Sequence, residues 1–172
     1  LQSLKAQAKE VRSKEDLQAV SALIIPGGES TVMSRFLHEF NMVKLLKERV
    51  AKGMPVYGTC AGAILLAKRI KGKNAPRSLS LLDIDIDRNA YGTQLDSFTK
   101  TLKVKGIQLP IKASFIRAPI ITRAGDDVDV LASDDGHPVL VRQGNILAGT
   151  FHPEVQGETA IHKLFLRMIQ SK

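Results

Sequence analysis

The sequence predicts an α/β protein in which helices layer onto a parallel sheet, and three observations predict it. Short apolar runs at Val20 to Ile25 and Met54 to Tyr57 each read as a strand buried on both faces. Each run closes on a glycine turn, Pro26-Gly27-Gly28 in one case and Gly58 to Gly62 in the other. Each turn leads into a helical pattern, Thr31 to Val50 and Ala61 to Lys68, so a strand-turn-helix unit occurs twice in succession. The length of 172 residues suits one domain, 1–172, and 44% hydrophobic with 24% charged residues suits a globular chain rather than a disordered or fibrous one.

Taken in order, Leu1 to Val11 reads as the tail of a helix, with Leu1, Leu4, Ala8 and Val11 spaced along one face. In the stretch from Thr31 to Val50, Met33, Phe36, Leu37, Phe40, Val43 and Leu46 recur at helical spacing, and Ser30 is placed to cap the start. After Lys71 the pattern changes to a polar loop, Gly72 to Ser80, and then to short strand-like runs. These are Ile84 to Asp87, Thr101 to Val104, Ile107 to Phe115 and Ile116 to Ile121, an excursion expected to be largely antiparallel. Val128 to Ala132, Pro138 to Arg142 and Ile146 to Gly149 give three more strands, the last two joined by a hairpin turn at Gln143-Gly144-Asn145. Thr159 to Gln170 closes the chain as an amphipathic helix with Ile161, Leu164, Phe165 and Met168 inward.

Net charge is +8, which raises the question of nucleic acid, since clustered cations neutralise phosphates. Here the cations are dispersed through Lys44, Lys47, Arg49, Lys52, Lys68, Arg69, Lys71 and Lys73, without interleaved aromatic residues for bases to stack on. A solvated surface suited to an acidic protein partner is the better reading. No apolar run approaches the ~20 residues of a bilayer span, and the first residues lack the pattern of a secretion signal, so the expected location is cytoplasmic and away from membranes.

The single cysteine, Cys60, lies in Gly58-Thr59-Cys60-Ala61-Gly62 between an apolar strand and an apolar helix. That is the setting of a nucleophile elbow, where a sharp turn between small neighbours lifts the side chain clear of the sheet. The Ala61 amide there is placed to donate to an oxyanion, and the thiol stands at a helix amino terminus, where anions are held. Acyl transfer from a cysteine also needs a base oriented by a third group. His152 is the candidate, ending a strand in Phe151-His152-Pro153-Glu154, with Glu154 two residues on to hold the ring. His38 and His162 read as satisfied helix residues and His137 as a turn residue; no histidine pair has metal-ligand spacing. In Pro26-Gly27-Gly28-Glu29-Ser30-Thr31 the glycine amides are placed for an anion or oxyanion, and Glu29 and Ser30 for a polar substrate. Both turns belong at the carboxyl ends of strands, where open α/β sheets collect their ligands.

Five segments, Pro-Gly-Gly-Glu-Ser-Thr, Gly-Thr-Cys-Ala-Gly, Arg88-Asn89-Ala90-Tyr91-Gly92, Phe115-Ile116-Arg117-Ala118-Pro119 and Phe151-His152-Pro153-Glu154, resemble in order and spacing one family. It comprises the glutaminase subunits of pyridoxal 5'-phosphate synthase, within the triad-type class I glutamine amidotransferases. The resemblance runs from about Val20 to the carboxyl terminus. It implies a three-layer flavodoxin-like class I glutamine amidotransferase fold with a mixed, mostly parallel sheet. It also implies hydrolysis of L-glutamine to glutamate and ammonia, with the ammonia channelled to a lyase subunit in a hetero-oligomer and no cofactor or metal of its own. Cys60, His152 and Glu154 match the triad; Gly28, Glu29, Ser30, Arg88, Ile116 and Arg117 match glutamine-binding positions; Gly27, Gly28 and Ala61 suit the oxyanion. The family pattern begins with a strand and a Leu-Gln-Gly loop before its first helix, whereas this sequence starts within that helix and so lacks the first strand. Thr93 stands where the family commonly has arginine. A partner-binding module that keeps the fold without the chemistry, and a cysteine hydrolase of other amides, are the alternatives.

Overall fold

The computed structural model describes residues 2–88 and 97–170. A 3-10 turn at Gln2–Leu4 leads through an extended segment to α1 (Lys14–Ala19), β1 (Leu23–Ile25), α2 (Ser30–Glu39) and α3 (Met42–Ala51). β2 (Val56–Thr59), α4 (Ala61–Leu66), β3 (Ala67–Lys71) and β4 (Leu82–Asp87) follow. Then come β5 (Phe98–Leu102), β6 (Ile111–Phe115), β7 (Ile120–Ala124), β8 (Asp129–Asp134), β9 (His137–Gln143) and β10 (Ile146–Gly149). A 3-10 turn, Glu154–Gln156, precedes α5 (Ala160–Gln170).

The main sheet has the order β1-β2-β10-β9-β8. β2 lies parallel to both β1 and β10, and the hairpins to β9 and β8 make the far side antiparallel. Side chains alternate across it as strand geometry demands. On β2 and β10, Val56, Ile146 and Ala148 join a core with Leu46, Leu65 and Leu66 from α3 and α4. Tyr57 and Leu147 join a second core with Phe115, Phe151 and the α5 residues Ile161 and Phe165. With both faces covered, these strands read as continuous apolar runs. The remaining strands form a β3-β4-β7 sheet and a β5-β6 hairpin.

The structure differs from the sequence reading at five places. The segment from Lys5 to Arg12 is not helical; the first helix is α1, started by Ser13, whose side chain accepts from the Asp16 amide. The long helix expected over Thr31 to Val50 is two helices, because Asn41 takes a left-handed φ of 53° and turns the chain between them. Glu29 rather than Ser30 caps α2, accepting from the Thr31 amide. The expected helix to Lys68 stops at Leu66 and passes directly into β3, and His137 opens β9 instead of lying in the preceding turn. Among the described residues no helix is long and apolar enough to cross a membrane.

Candidate active site

The elbow forms where β2 gives way to α4. Cys60 sits between them at φ 47° and ψ −103°, a conformation that a non-glycine residue holds only when its surroundings over-determine it. Its amide donates to the Gly149 carbonyl on β10 at 2.8 Å, and its carbonyl accepts from Ile64 at 3.1 Å, so the strained residue is fixed from both sides. Close packing requires the glycines around it. A Cβ on Gly62 would lie 2.0 Å from the Ile25 carbonyl oxygen, so α4 seats against β1 only without a side chain there. Cys60 is 8% exposed and Ala61, the first residue of α4, is buried.

The parallel register of β10 on β2 delivers the second group. Gly149 pairs with Thr59, so the chain leaving β10 runs on beside the elbow. Phe151 anchors it in the second core, and the His152 amide donates to the Ser114 carbonyl on β6 at 2.7 Å. His152 Nδ1 meets Glu154 Oε1 at 2.8 Å, and the Cys60 side chain is the other group acting on the ring. The Cys60 bond first, and the Glu154 bond second, push the His152 pKa up to about 10. At neutral pH the imidazole therefore keeps both its protons. Burial works to raise the Glu154 carboxyl, but the His152 hydrogen bond and a backbone bond outweigh it and hold the carboxyl below its usual range.

The Pro26-Gly27-Gly28 turn packs on the other side of His152. A Cβ on Gly27 would fall 2.3 Å from His152 Cε1, so glycine at 27 leaves the space that the imidazole occupies. Gly28 and Glu29 are exposed beside it, and Ser30 is buried at the start of α2. Arg88, at the end of β4, reaches this turn: its guanidinium stands 3.6 Å from Glu29 and donates to Thr31 Oγ1 at 3.2 Å and the Asn74 carbonyl at 3.0 Å. Ile116 is half-buried and Arg117 exposed in the turn after β6, Arg117 with a left-handed φ of 44°. Asn89, Ala90, Tyr91, Gly92 and Thr93 lie outside the described residues.

Thr31 and Asn74, which hold Arg88, had no signal in the sequence, and neither did Ser114 and Gln156 beneath the His152 segment; all four act across long separations that local spacing does not encode.

A cysteine at a strained strand-to-helix turn, beside a histidine that a carboxylate orients, is the arrangement of a hydrolytic site that works through an acylated cysteine. The chain belongs to the SNO glutamine amidotransferase family, whose model matches residues 1–171. It is 49% identical over 161 residues to the pyridoxal 5'-phosphate synthase subunit PdxT of Fervidobacterium nodosum, covering 93% of this chain and 83% of that one. The PdxT subunit of Thermosipho africanus is 46% identical over 171 residues, covering 99% of this chain and 90% of its own. A crystal structure of a glutamine amidotransferase superposes with a TM-score of 0.92 at 44% identity, covering 98% of this chain and 89% of that one.

Proposed function

We propose that this chain is the glutaminase subunit of a pyridoxal 5'-phosphate synthase, hydrolysing L-glutamine to glutamate and ammonia in the cytoplasm. The ammonia passes through a channel in a hetero-oligomer to a separate lyase subunit. The observation that carries the reading is that the β10–β2 pairing sets His152, held by Glu154 at 2.8 Å, beside the strained Cys60 elbow. The relatives' name and the family supply the partner and the product.

In this reading the Cys60 sulfur attacks the carbon of the glutamine side-chain amide, and the carbonyl electrons move onto oxygen. The Ala61 amide and the amides at Gly27 and Gly28 receive that oxyanion. His152, already carrying the second proton, donates it to the departing nitrogen, so ammonia leaves and a thioester remains. The imidazole, now neutral, takes a proton from water as the water attacks the thioester; collapse of the second tetrahedral species releases glutamate and returns the thiolate with imidazolium. Glu154 keeps Nδ1 bonded throughout and orients the ring.

Substrate recognition follows from charge. Free glutamine carries an ammonium and a carboxylate on one carbon, and Glu29 and Arg88 present the opposite pair 3.6 Å apart. Glu29 suits the ammonium, while Arg88 or Arg117 suits the carboxylate. Ser30 and the Gly28 backbone add polar contacts, and Ile116 lies against the aliphatic chain.

Cys60→Ala, assayed for glutamate release together with the synthase subunit, is expected to lose turnover completely while still folding. Unchanged release would remove the assigned nucleophile and the reading with it.

A further inference from the structure

The His152–Glu154 segment leaves β10 as a short turn with little to hold it. None of Glu154, Val155 and Gln156 is buried, and the turn closes on its own backbone, with the Gln156 amide donating to Pro153 and the Gly157 amide to Glu154. Past the buried Pro153 the turn has no apolar anchor of its own. Its side-chain attachment to the sheet comes from Gln156, whose Nε2 donates to Ser114 Oγ at 2.8 Å and to Thr99 Oγ1 at 3.4 Å. The two hydroxyls lie 3.3 Å apart on paired strands, β6 and β5. Ser114 is 4% exposed, so its position is fixed by the fold. The same residue receives the His152 amide on its carbonyl at 2.7 Å. One buried serine thus grips the segment at both ends, ahead of the His152–Glu154 contact with its backbone and behind it with its hydroxyl.

We infer that Gln156 and Ser114 form a clamp that sets the Glu154 carboxylate against His152, which makes both of them positioning residues for the catalytic pair. This rests on the proposed roles of Cys60, His152 and Glu154. Without the clamp the turn keeps its backbone bonds but is free to pivot about Pro153, and Glu154 no longer meets Nδ1 in one fixed geometry. Small displacements of an orienting group carry large rate costs.

The imidazole resonances of His152, followed by NMR against pH, read the pair directly, without glutamine or a synthase. The groups facing His152 are Cys60 from the elbow and Glu154 from its own turn, with His162 of α5 behind Glu154 and kept neutral chiefly by burial; Glu29, beyond Gly27, is engaged by Thr31 and Arg88. In the unaltered chain those resonances are expected to step near pH 10, where His152 gives up its proton. Gln156→Ala and Ser114→Ala are each expected to move that step down by about one pH unit, with the double variant moving no further than either single one. With glutamine as substrate, kcat is expected to drop about tenfold or more at unchanged KM.

A step that stays in place in both single variants overturns the clamp, even if their melting temperatures fall, because a merely structural role lowers stability without moving the titration. Should Gln156→Ala fail to fold, Ser114→Ala decides alone, since it keeps the carbonyl that receives His152. Absence of any step in the unaltered chain overturns the Cys60–His152 pairing itself and the clamp along with it.

Discussion

His152 lies between a thiol and a carboxylate, and its proton affinity follows from that position. The Cys60 hydrogen bond contributes most to raising its pKa from 6.5 to about 10, and the Glu154 bond contributes next. Because folding raises this pKa, the stabilisation from the bound proton is full below the unfolded value of 6.5 and is lost as pH rises through about 10. In the proposed mechanism the same proton goes to the leaving ammonia, so kcat/KM is expected to fall on the alkaline side with a midpoint near pH 10. Glu154→Gln keeps an acceptor oxygen but removes the negative charge that helps raise the pKa, and the alkaline limb should move to lower pH. A pH–rate profile of both proteins checks this, and coincident alkaline limbs would show that Glu154 does not hold the ring. Cys60, His152 and Glu154 were legible in the sequence because each requirement is local: small residues flank the elbow, and Pro153 and Glu154 follow the histidine within two positions. Gly27 was legible as a turn residue whose amide suits an oxyanion. That its missing side chain is the space filled by His152 depends on a contact across the fold, which spacing cannot reveal.

Short elements depend on their ends. α1 has six residues, too few for hydrophobic periodicity to show, and its evidence in the sequence is the Ser13-to-Asp16 spacing that caps its start. Its far end is held from another helix: the Arg49 guanidinium on α3 donates to the carbonyls of Leu17 at 2.7 Å, Gln18 at 2.5 Å and Val20 at 2.6 Å. Those are carbonyls that a helix end leaves without partners of its own. Arg49→Met keeps the aliphatic stem and removes the donors, and is expected to lower stability by about 1.5 kcal/mol. Urea unfolding measures this directly, and an unchanged midpoint would mean that solvent serves those carbonyls as well as arginine does. The division of the 31–50 helix was likewise hidden, since the apolar stripe continues through Phe40 and Val43 while a single left-handed Asn41 turns the backbone. Strands were easier where the sheet buries both faces: β10 spans the expected Ile146 to Gly149, whereas the outer runs at β5 to β7 shift by several residues because their partners, not their composition, set their limits.

The order of the sheet joins residues remote in sequence, and at the scale of the whole molecule this makes the site. Cys60 follows β2 and His152 follows β10, and the parallel pairing of those strands is a fact of topology that the two repeated units did not contain; the resemblance to the family supplied only a mixed, mostly parallel sheet. Between the site and α5 lies the second core, with Tyr57 of β2 at its centre, packed on Phe165 at 5.7 Å and edge-on to His162 at 5.9 Å. The Tyr57 ring is fully buried, and its hydroxyl has no hydrogen-bond partner among the described residues. Burial, and next the Glu154 charge, push its phenol well above the usual range, so it stays a neutral hydroxyl. A buried hydroxyl without a partner costs its desolvation and returns nothing to the fold, whereas the ring's contacts with Phe165 and His162 do not depend on the hydroxyl. Tyr57→Phe keeps those contacts and removes the burden, so it is expected to stabilise the chain by about 1 kcal/mol. The urea midpoint should rise at an unchanged slope, the mark of a change in stability rather than in the extent of unfolding. A lower midpoint would mean instead that the hydroxyl is satisfied in solution and that the second core is built around a polar contact beneath the catalytic pair.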